Sequence, residues 1–281
     1  MKILFIRNTN YLTDYLTDSI YHGLISLGHD VYVNGTVDHM YKYYEDDNGL
    51  IGSRFTLYRN LEGEPNYVGI ELIDLIYSRF FDKIIISDIR SYYSYLNDYN
   101  FIFKQYKIED IHLIDGQDDQ FILDGIQRYG TLWKRELVND KANPISFGLP
   151  KEKLIDHNPD KTKLFGTVVP GDMNTYIYND EASYYQDYAS SYYGKTWKKG
   201  GWDCLRHYEI LANKCIPYFP DIKACPKNTM VDFPKKLIIE ANKWSSKNKI
   251  HPDYDDLNNQ LFEWTKNKLT TDSVAQKILN Y

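Results

Sequence analysis

The stretch KILFIR (residues 2–7) opens a pattern that restricts the fold more than any other feature of the chain. It is a short, nearly unbroken apolar run of the kind found in strands buried on both faces. A polar loop, 8–14, follows, and then Leu16, Ile20, Leu24 and Leu27 recur at helical spacing up to Gly28, where a helix C-terminus is expected. HDVYVNG (29–35) reads as a second strand. One strand, one helix and one strand make a βαβ unit, which implies a parallel sheet with a right-handed crossover.

The alternation continues less legibly. Residues 42–66 are polar and turn-rich, an excursion with a hairpin expected at FTLYRNL (55–61). A helix is expected around Gly69–Phe80, a buried strand at DKIIISD (82–88), a helix over Tyr92–Lys104, and a strand at IHLIDGQDD (111–119) that runs into an acidic loop. Ligands of open α/β sheets bind beyond the carboxyl ends of the strands, so the loops Arg7–Asp14, Asp88–Arg90 and Asp115–Asp119 are the first-half candidates for substrate contact. The prolines Pro144 and Pro150 and a charged stretch ending near Lys163 interrupt the alternation. The expected domains are therefore 1–150 and 151–281, joined by a hinge. Beyond the break come a strand at KLFGTVVPG (163–171), a helix over Ala182–Ser191, strand and turn at IPYFPD (216–221), a helix around Lys235–Lys243 and an amphipathic pair from Asp255 onward.

A length of 281 residues suits two domains, and a hydrophobic fraction of 43% supplies core material for both. The net charge of −6 argues against broad nucleic-acid or anionic-membrane binding. No run reaches the length of a membrane span, and the N-terminus reads as a strand rather than a signal peptide. Cys204, Cys215 and Cys225 fit no common zinc spacing, and their odd number suits a reducing compartment, so a cytoplasmic protein is expected. His39, His112 and His207 are dispersed, and no HExxH, CxxC, GxSxG or Walker sequence is present. An acidic divalent site at Asp115–Asp119 is conceivable, with solvation of an acidic loop as the plainer reading.

Chemistry concentrates in KKGGWDCLRHYEILANKCIPYFPDI, residues 198–222. From Leu205 onward it reads as a helix with Leu205, Tyr208, Leu211 and Ala212 on the buried side. Asp203 stands at the N-cap position, and Gly200-Gly201 let backbone amides approach a ligand. A glycine-preceded helix N-terminus favours an anion. Lys198, Lys199 and Arg206 add positive charge, and Glu209 could accept hydrogen bonds from a ribose or sugar diol. Each residue also has a plainer reading: solvated lysines, a cap at Asp203, an i,i+3 pair between Arg206 and Glu209, and a core Trp202. The joint arrangement points to a diphosphate carrying a sugar.

HYEILANKCIPYF (207–219) resembles the nucleotide-binding helix of GT-B glycosyltransferases, in which a glutamate opens a stretch like E-A-M-A-x-G-x-P-V-V. Glu209 falls on that glutamate, Ala212 on the small residue, Lys214-Cys215 near the glycine and Pro217 on the proline. With SSYYGKTWKKGGWDCLRHYEI (190–210), the segment is similar to a group-1-like, exostosin-related subgroup, and LWKREL and NPISFGLP resemble its pre-linker region less specifically. The close resemblance covers roughly residues 190–222. It implies an α/β GT-B-like fold of two Rossmann-type domains facing a cleft, with a nucleotide-sugar donor on the second. It further implies a ribose held by the glutamate, a diphosphate held by basic residues, and no essential metal or other cofactor. The second glutamate of many retaining members falls on Gly201, so stereochemistry does not carry over.

The function expected is glycosyl transfer from a nucleotide sugar to a carbohydrate or glycoconjugate hydroxyl, with Asp14 and Asp115 as general-base candidates. A nucleotide-sugar epimerase or hydrolase on the same fold, and a non-catalytic glycan- or partner-binding protein, are the alternatives.

Overall fold

The computed structural model describes residues 1–7, 12–46, 49, 54–92 and 99–281. The expected loop Arg7–Asp14, the 42–66 excursion and the Tyr92–Lys104 helix therefore lie partly outside the described residues. In chain order the first half contains β1 (Lys2–Ile6), α1 (Tyr15–Ser26), β2 (Asp30–Asn34), β3 (Asn66–Tyr67), α2 (Leu72–Tyr77) and β4 (Lys83–Ile86). It continues with α3 (Ile89–Tyr92), α4 (Asn100–Gln105), β5 (Ile111–Asp115), β6 (Thr131–Lys134) and β7 (Asn143–Pro144). Its strands form one parallel sheet in the order β3-β2-β1-β4-β5-β6-β7. The order reverses between β1 and β4, the place where open α/β sheets leave a crevice beyond their strand ends.

Side-chain alternation divides this sheet between two cores. Ile3, Phe5, Val31, Val33, Ile85 and Trp133 point to one face, and Leu4, Ile6, Ile84, Ile86 and Leu113 to the other. The second face is covered by α2 and α4. On the first face the core runs on without interruption into Tyr193, Leu205, Tyr208, Phe219 and Phe262's neighbour Leu261 of the second half. One apolar core thus spans both halves, so any opening at the expected hinge has to expose part of it.

The second half contains β8 (Lys163–Phe165), α5 (Glu181–Ala189), β9 (Ser191–Lys195), α6 (Leu205–Ala212), β10 (Ile216–Tyr218), α7 (Lys235–Ser245), α8 (Tyr254–Lys268) and α9 (Thr271–Leu279). Its three strands are parallel in the order β10-β9-β8. The α/β class with two parallel sheets is as expected, and the second sheet is small. Among the described residues no helix is long and apolar enough to cross a membrane.

Two local expectations need correction. FTLYRNL is not a hairpin: Thr56 and Arg59 have φ of 75° and 55°, and the bridge there pairs Leu61 with Tyr41. Positive φ at these positions bends the chain and breaks the strand. The helix read over Ala182–Ser191 stops at Ala189, and SYYGK becomes the central strand of the second sheet. Gly194 in that strand lets α6 lie close, since a Cβ there would meet Ile210 Cγ1 at 2.8 Å.

The amphipathic pair near the C-terminus divides between the halves. While α8 stays with α6 and α7, α9 returns to α1 of the first half. Gly23 makes that contact possible, because a Cβ there would run into the carbonyl of Thr271. His22 reaches Thr271 Oγ1 at 2.9 Å through Nδ1 and Glu152 Oε1 at 3.0 Å through Nε2. The Thr271 N–H donates to the Leu149 carbonyl at 2.9 Å.

Candidate functional site

Helix α6 begins at Leu205, as its sequence suggests. Cys204 holds the N-cap position, with φ −146° and no side-chain cap hydrogen bond, which corrects the expectation that Asp203 caps it. Asp203 instead binds across to the first half. Its Oδ2 accepts the Phe147 N–H at 2.9 Å, and its Oδ1 accepts the Tyr208 hydroxyl at 2.7 Å. Burial raises its pKa to about 6, against the opposing pull of Arg135 and these hydrogen bonds.

Gly200 and Gly201 serve the same junction. A Cβ on Gly201 would meet Glu136 Oε1 at 2.5 Å and Asp118 Oδ1 at 2.9 Å, and one on Gly200 would run into Asp118 Oδ2. Both acids are paired with Arg135, at 3.2 Å for Glu136. Arg135 also donates to the Asp203 carbonyl at 2.7 Å, and Glu136 accepts the Asp203 N–H at 2.9 Å. The bare glycine backbone therefore admits two first-half carboxylates, both paired with Arg135. Lys198 and Lys199 are exposed beside it, with Lys198 Nζ 3.3 Å from the Gly200 carbonyl and 5.9 Å from the Trp202 ring centroid.

Arg206 and Glu209, one helical turn apart, line a different space. It is a cavity of about 420 Å³ between the halves, walled by Tyr15, Arg54 and Phe55 from the first half and by Val168, Met173, Tyr176, Tyr178, Tyr184 and α6 from the second. Arg206 donates to Tyr176 Oη at 3.0 Å, while its Nε is buried with no hydrogen-bond partner among the described residues. Arg54, from the first half, also lines this cavity. The first turn of α6 adds the positive end of its dipole.

Glu209 is buried and raised in pKa, chiefly by desolvation, with hydrogen bonds from Thr56 and Tyr184 and the charge of Arg206 working the other way. The Thr56 hydroxyl donates to Oε1 at 2.5 Å, and the Tyr184 hydroxyl donates to Oε2 at 2.7 Å. Burial and the nearby Glu209 push the Tyr184 hydroxyl pKa well above its ordinary value, so it remains a donor. Buried His207, on the opposite side of α6, is held neutral with its pKa lowered to about 3. Its Nε2–H donates to the Trp202 carbonyl at 2.9 Å and its Nδ1 accepts from Thr196 at 2.8 Å, a structural role.

Neither Asp14 nor Asp115 lines this cavity. Asp14 caps α1 by accepting the Thr17 N–H at 2.8 Å, and burial followed by repulsion from Asp18 raises its pKa. It borders a smaller cleft of about 250 Å³ that shares Tyr15 with the larger one and includes Gln117, Asp118, Arg135 and Phe147. Asp115 is tied up more completely: Lys134 Nζ and Arg90 Nε each lie 3.0 Å from its oxygens, and the Gln117 N–H lies at 3.1 Å. Asp119 binds Arg90 as well. The acidic loop is thus an ion-paired cluster, and among the described residues no group of His, Cys, Asp or Glu is arranged to hold a metal.

Sequence reasoning missed Thr56, Arg54, Tyr176 and Tyr184. Thr56 and Arg54 lie in a turn-rich segment with no periodicity, far in sequence from α6. Tyr176 and Tyr184 are two of 27 tyrosines, a background that hides any single one.

No protein-family model matches this chain. No curated protein matches it either. Among solved structures, it is similar to an α-glucosyltransferase in complex with UDP, with a TM-score of 0.46 and 10% identity over 99% of this chain and 98% of that one.

Proposed function

We propose that the chain is a glycosyltransferase of GT-B type that binds a nucleotide-sugar donor in the 420 Å³ cavity and transfers its sugar to an acceptor hydroxyl. The observation that carries this reading is Arg206 at the N-terminus of α6, which lines the cavity together with Arg54 and whose buried Nε has no hydrogen-bond partner among the described residues. Two guanidiniums and a helix N-terminus suit a diphosphate, whose charge grows as the glycosidic bond breaks. They would neutralise it without a metal or other cofactor. Phe55, Tyr176 and Tyr178 offer ring surfaces for a base or sugar, and Glu209 would hold a diol. Lys198 and Lys199, outside the lining, would contribute at long range only. Gly200, Gly201 and Asp203 would fix the two halves around the donor.

The acceptor is a carbohydrate or glycoconjugate, with the cleft bordered by Asp14 as its side of the site. Asp14 is the better general-base candidate, because burial already raises its affinity for a proton. The domain division at residue 150, a cytoplasmic location suited to three free thiols, and the absence of a nucleic-acid partner belong to the same reading. A second reading, donor binding without transfer, is favoured by one observation: both carboxylate candidates for the base are hydrogen-bonded within the protein.

Calorimetric titration with a panel of nucleoside diphosphates and nucleotide sugars tests the proposal. Micromolar to millimolar binding, weakened about tenfold or more by Arg206→Ala, is expected. No binding by the wild-type protein at millimolar ligand would sink it. Nucleoside diphosphate released only when an acceptor is supplied identifies transfer. Release without acceptor identifies a hydrolase, an isomerised donor an epimerase, and no turnover a binding protein.

A further inference from the structure

Thr56 belongs to the first half, yet its polar groups bind the second. Its N–H donates to Glu181 Oε1 at 2.6 Å, and its hydroxyl donates to Glu209 Oε1 at 2.5 Å. Because that proton goes to Glu209, the Tyr185 hydroxyl, 2.7 Å away, donates to Thr56 Oγ1. Asn60 Nδ2 closes the turn on the Thr56 carbonyl at 2.6 Å. All this is done by a β-branched residue with φ of 75°, a conformation such residues rarely adopt. Strain of this kind persists only where surrounding contacts impose it, and it clusters at ligand clamps and switch regions.

We infer that Thr56 is a specificity-determining residue whose hydroxyl holds the place that a ligand hydroxyl takes on Glu209. The inference rests on the proposed reading of Glu209 as the diol acceptor. A ligand with a vicinal diol replaces the Thr56 hydrogen bond with its own, and withdrawal of Thr56 releases the backbone strain. A ligand without those hydroxyls gains nothing at Glu209. If it displaces Thr56, it leaves a buried carboxylate short of a donor, and the cost of an unpaired buried group falls on binding. Tyr184, on the other carboxylate oxygen at 2.7 Å, keeps Glu209 in place through the exchange. Thr56 therefore sets a threshold that only hydroxyl-bearing ligands cross.

The test compares ribonucleoside 5′-diphosphates with their 2′,3′-dideoxy counterparts on wild type, Thr56→Val and Thr56→Ser. Valine keeps the shape and loses the hydroxyl, whereas serine keeps the hydroxyl and relieves the crowding. Melting curves establish that each variant is folded. Thr56→Val is expected to bind the ribo ligand about tenfold more tightly, because no internal hydroxyl competes for Glu209, with the dideoxy ligand unchanged. Thr56→Ser is expected to behave like wild type. Ribo affinity unchanged or weakened in Thr56→Val would overturn the inference and leave the donor site standing. Equal gains for both ligands would also overturn it, since they would mean that the ligand hydroxyls play no part in replacing the Thr56 hydrogen bond. No binding of any diphosphate by any of the three proteins would remove the donor site and this inference together.

Discussion

Asp203 accepts the backbone N–H of Phe147 at 2.9 Å with one carboxylate oxygen and the hydroxyl of Tyr208 at 2.7 Å with the other. The residue just ahead of α6 is thereby fixed to the first half, and the orientation of Arg206 and Glu209 depends on a joint outside the cavity. Arg135, Glu136 and Asp118 surround that joint, so three carboxylates share one guanidinium. Glu136 and Asp203 are buried with Arg135.

A pH dependence follows from the raised pKa of Asp203. In the folded protein it titrates near 6, above its unfolded value, so the native state binds the proton more tightly. Its contribution is fully present below the unfolded pKa of about 3.9 and is lost as pH rises through about 6. The size is at most on the order of 3 kcal/mol, from roughly two pKa units. Urea melts of wild type and Asp203→Asn at pH 4, 5, 6 and 7 should show the difference in stability changing across this window. Parallel pH profiles for the two proteins would contradict the assignment.

The glycine pair should respond unequally to alanine. At Gly201 the new methyl meets Glu136, which is buried and ion-paired, whereas at Gly200 it meets Asp118, whose side chain is 61% exposed and can turn away. Gly201→Ala is expected to cost ~1–3 kcal/mol, as overpacking usually does, and Gly200→Ala clearly less. Denaturant titration measures both. An equal or reversed cost would mean that the junction is not packed as described.

Charge removal separates the two basic groups. Arg206→Ala should lower kcat by ~10²-fold or more if the guanidinium stabilises the leaving diphosphate, with a smaller effect on KM. Lys198→Ala and Lys199→Ala should stay within about threefold of wild type, since exposed charges at that distance are screened by salt. Steady-state kinetics with an identified donor decides the matter. A lysine variant as impaired as Arg206→Ala would move the diphosphate toward Gly200-Gly201 despite the carboxylates there.

What could be read from the sequence follows from how local the determinants are. KILFI, KIII and IHLID declare themselves as central parallel strands because burial on both faces demands continuous apolar runs. The Gly28 signal is equally local: at φ 75° it ends α1 where a glycine is favoured. SYYGK gives no such sign, since its tyrosines and lysine present polar ends while their rings pack in the core. Arg206 and Glu209 were legible as a pair because one helical turn sets their spacing. The partners of Glu209 and Gly201 were not, because Thr56 lies 153 positions from Glu209 and the tie from Glu136 to Asp203 spans 67. Two glycines before a helix look the same whether a phosphate or a neighbouring carboxylate approaches them.

The return of α9 to α1 also bears on how the chain reaches this state during synthesis. His22 and Thr271 touch across 249 positions, so α1 leaves the ribosome long before the helix that covers it exists. At ~5–20 residues per second the interval is on the order of tens of seconds, far longer than the collapse of the first sheet requires. Throughout it the groove beside Gly23, shaped for a helix backbone, stands uncovered on the nascent chain. The packing of α1 is completed only with the arrival of Thr271.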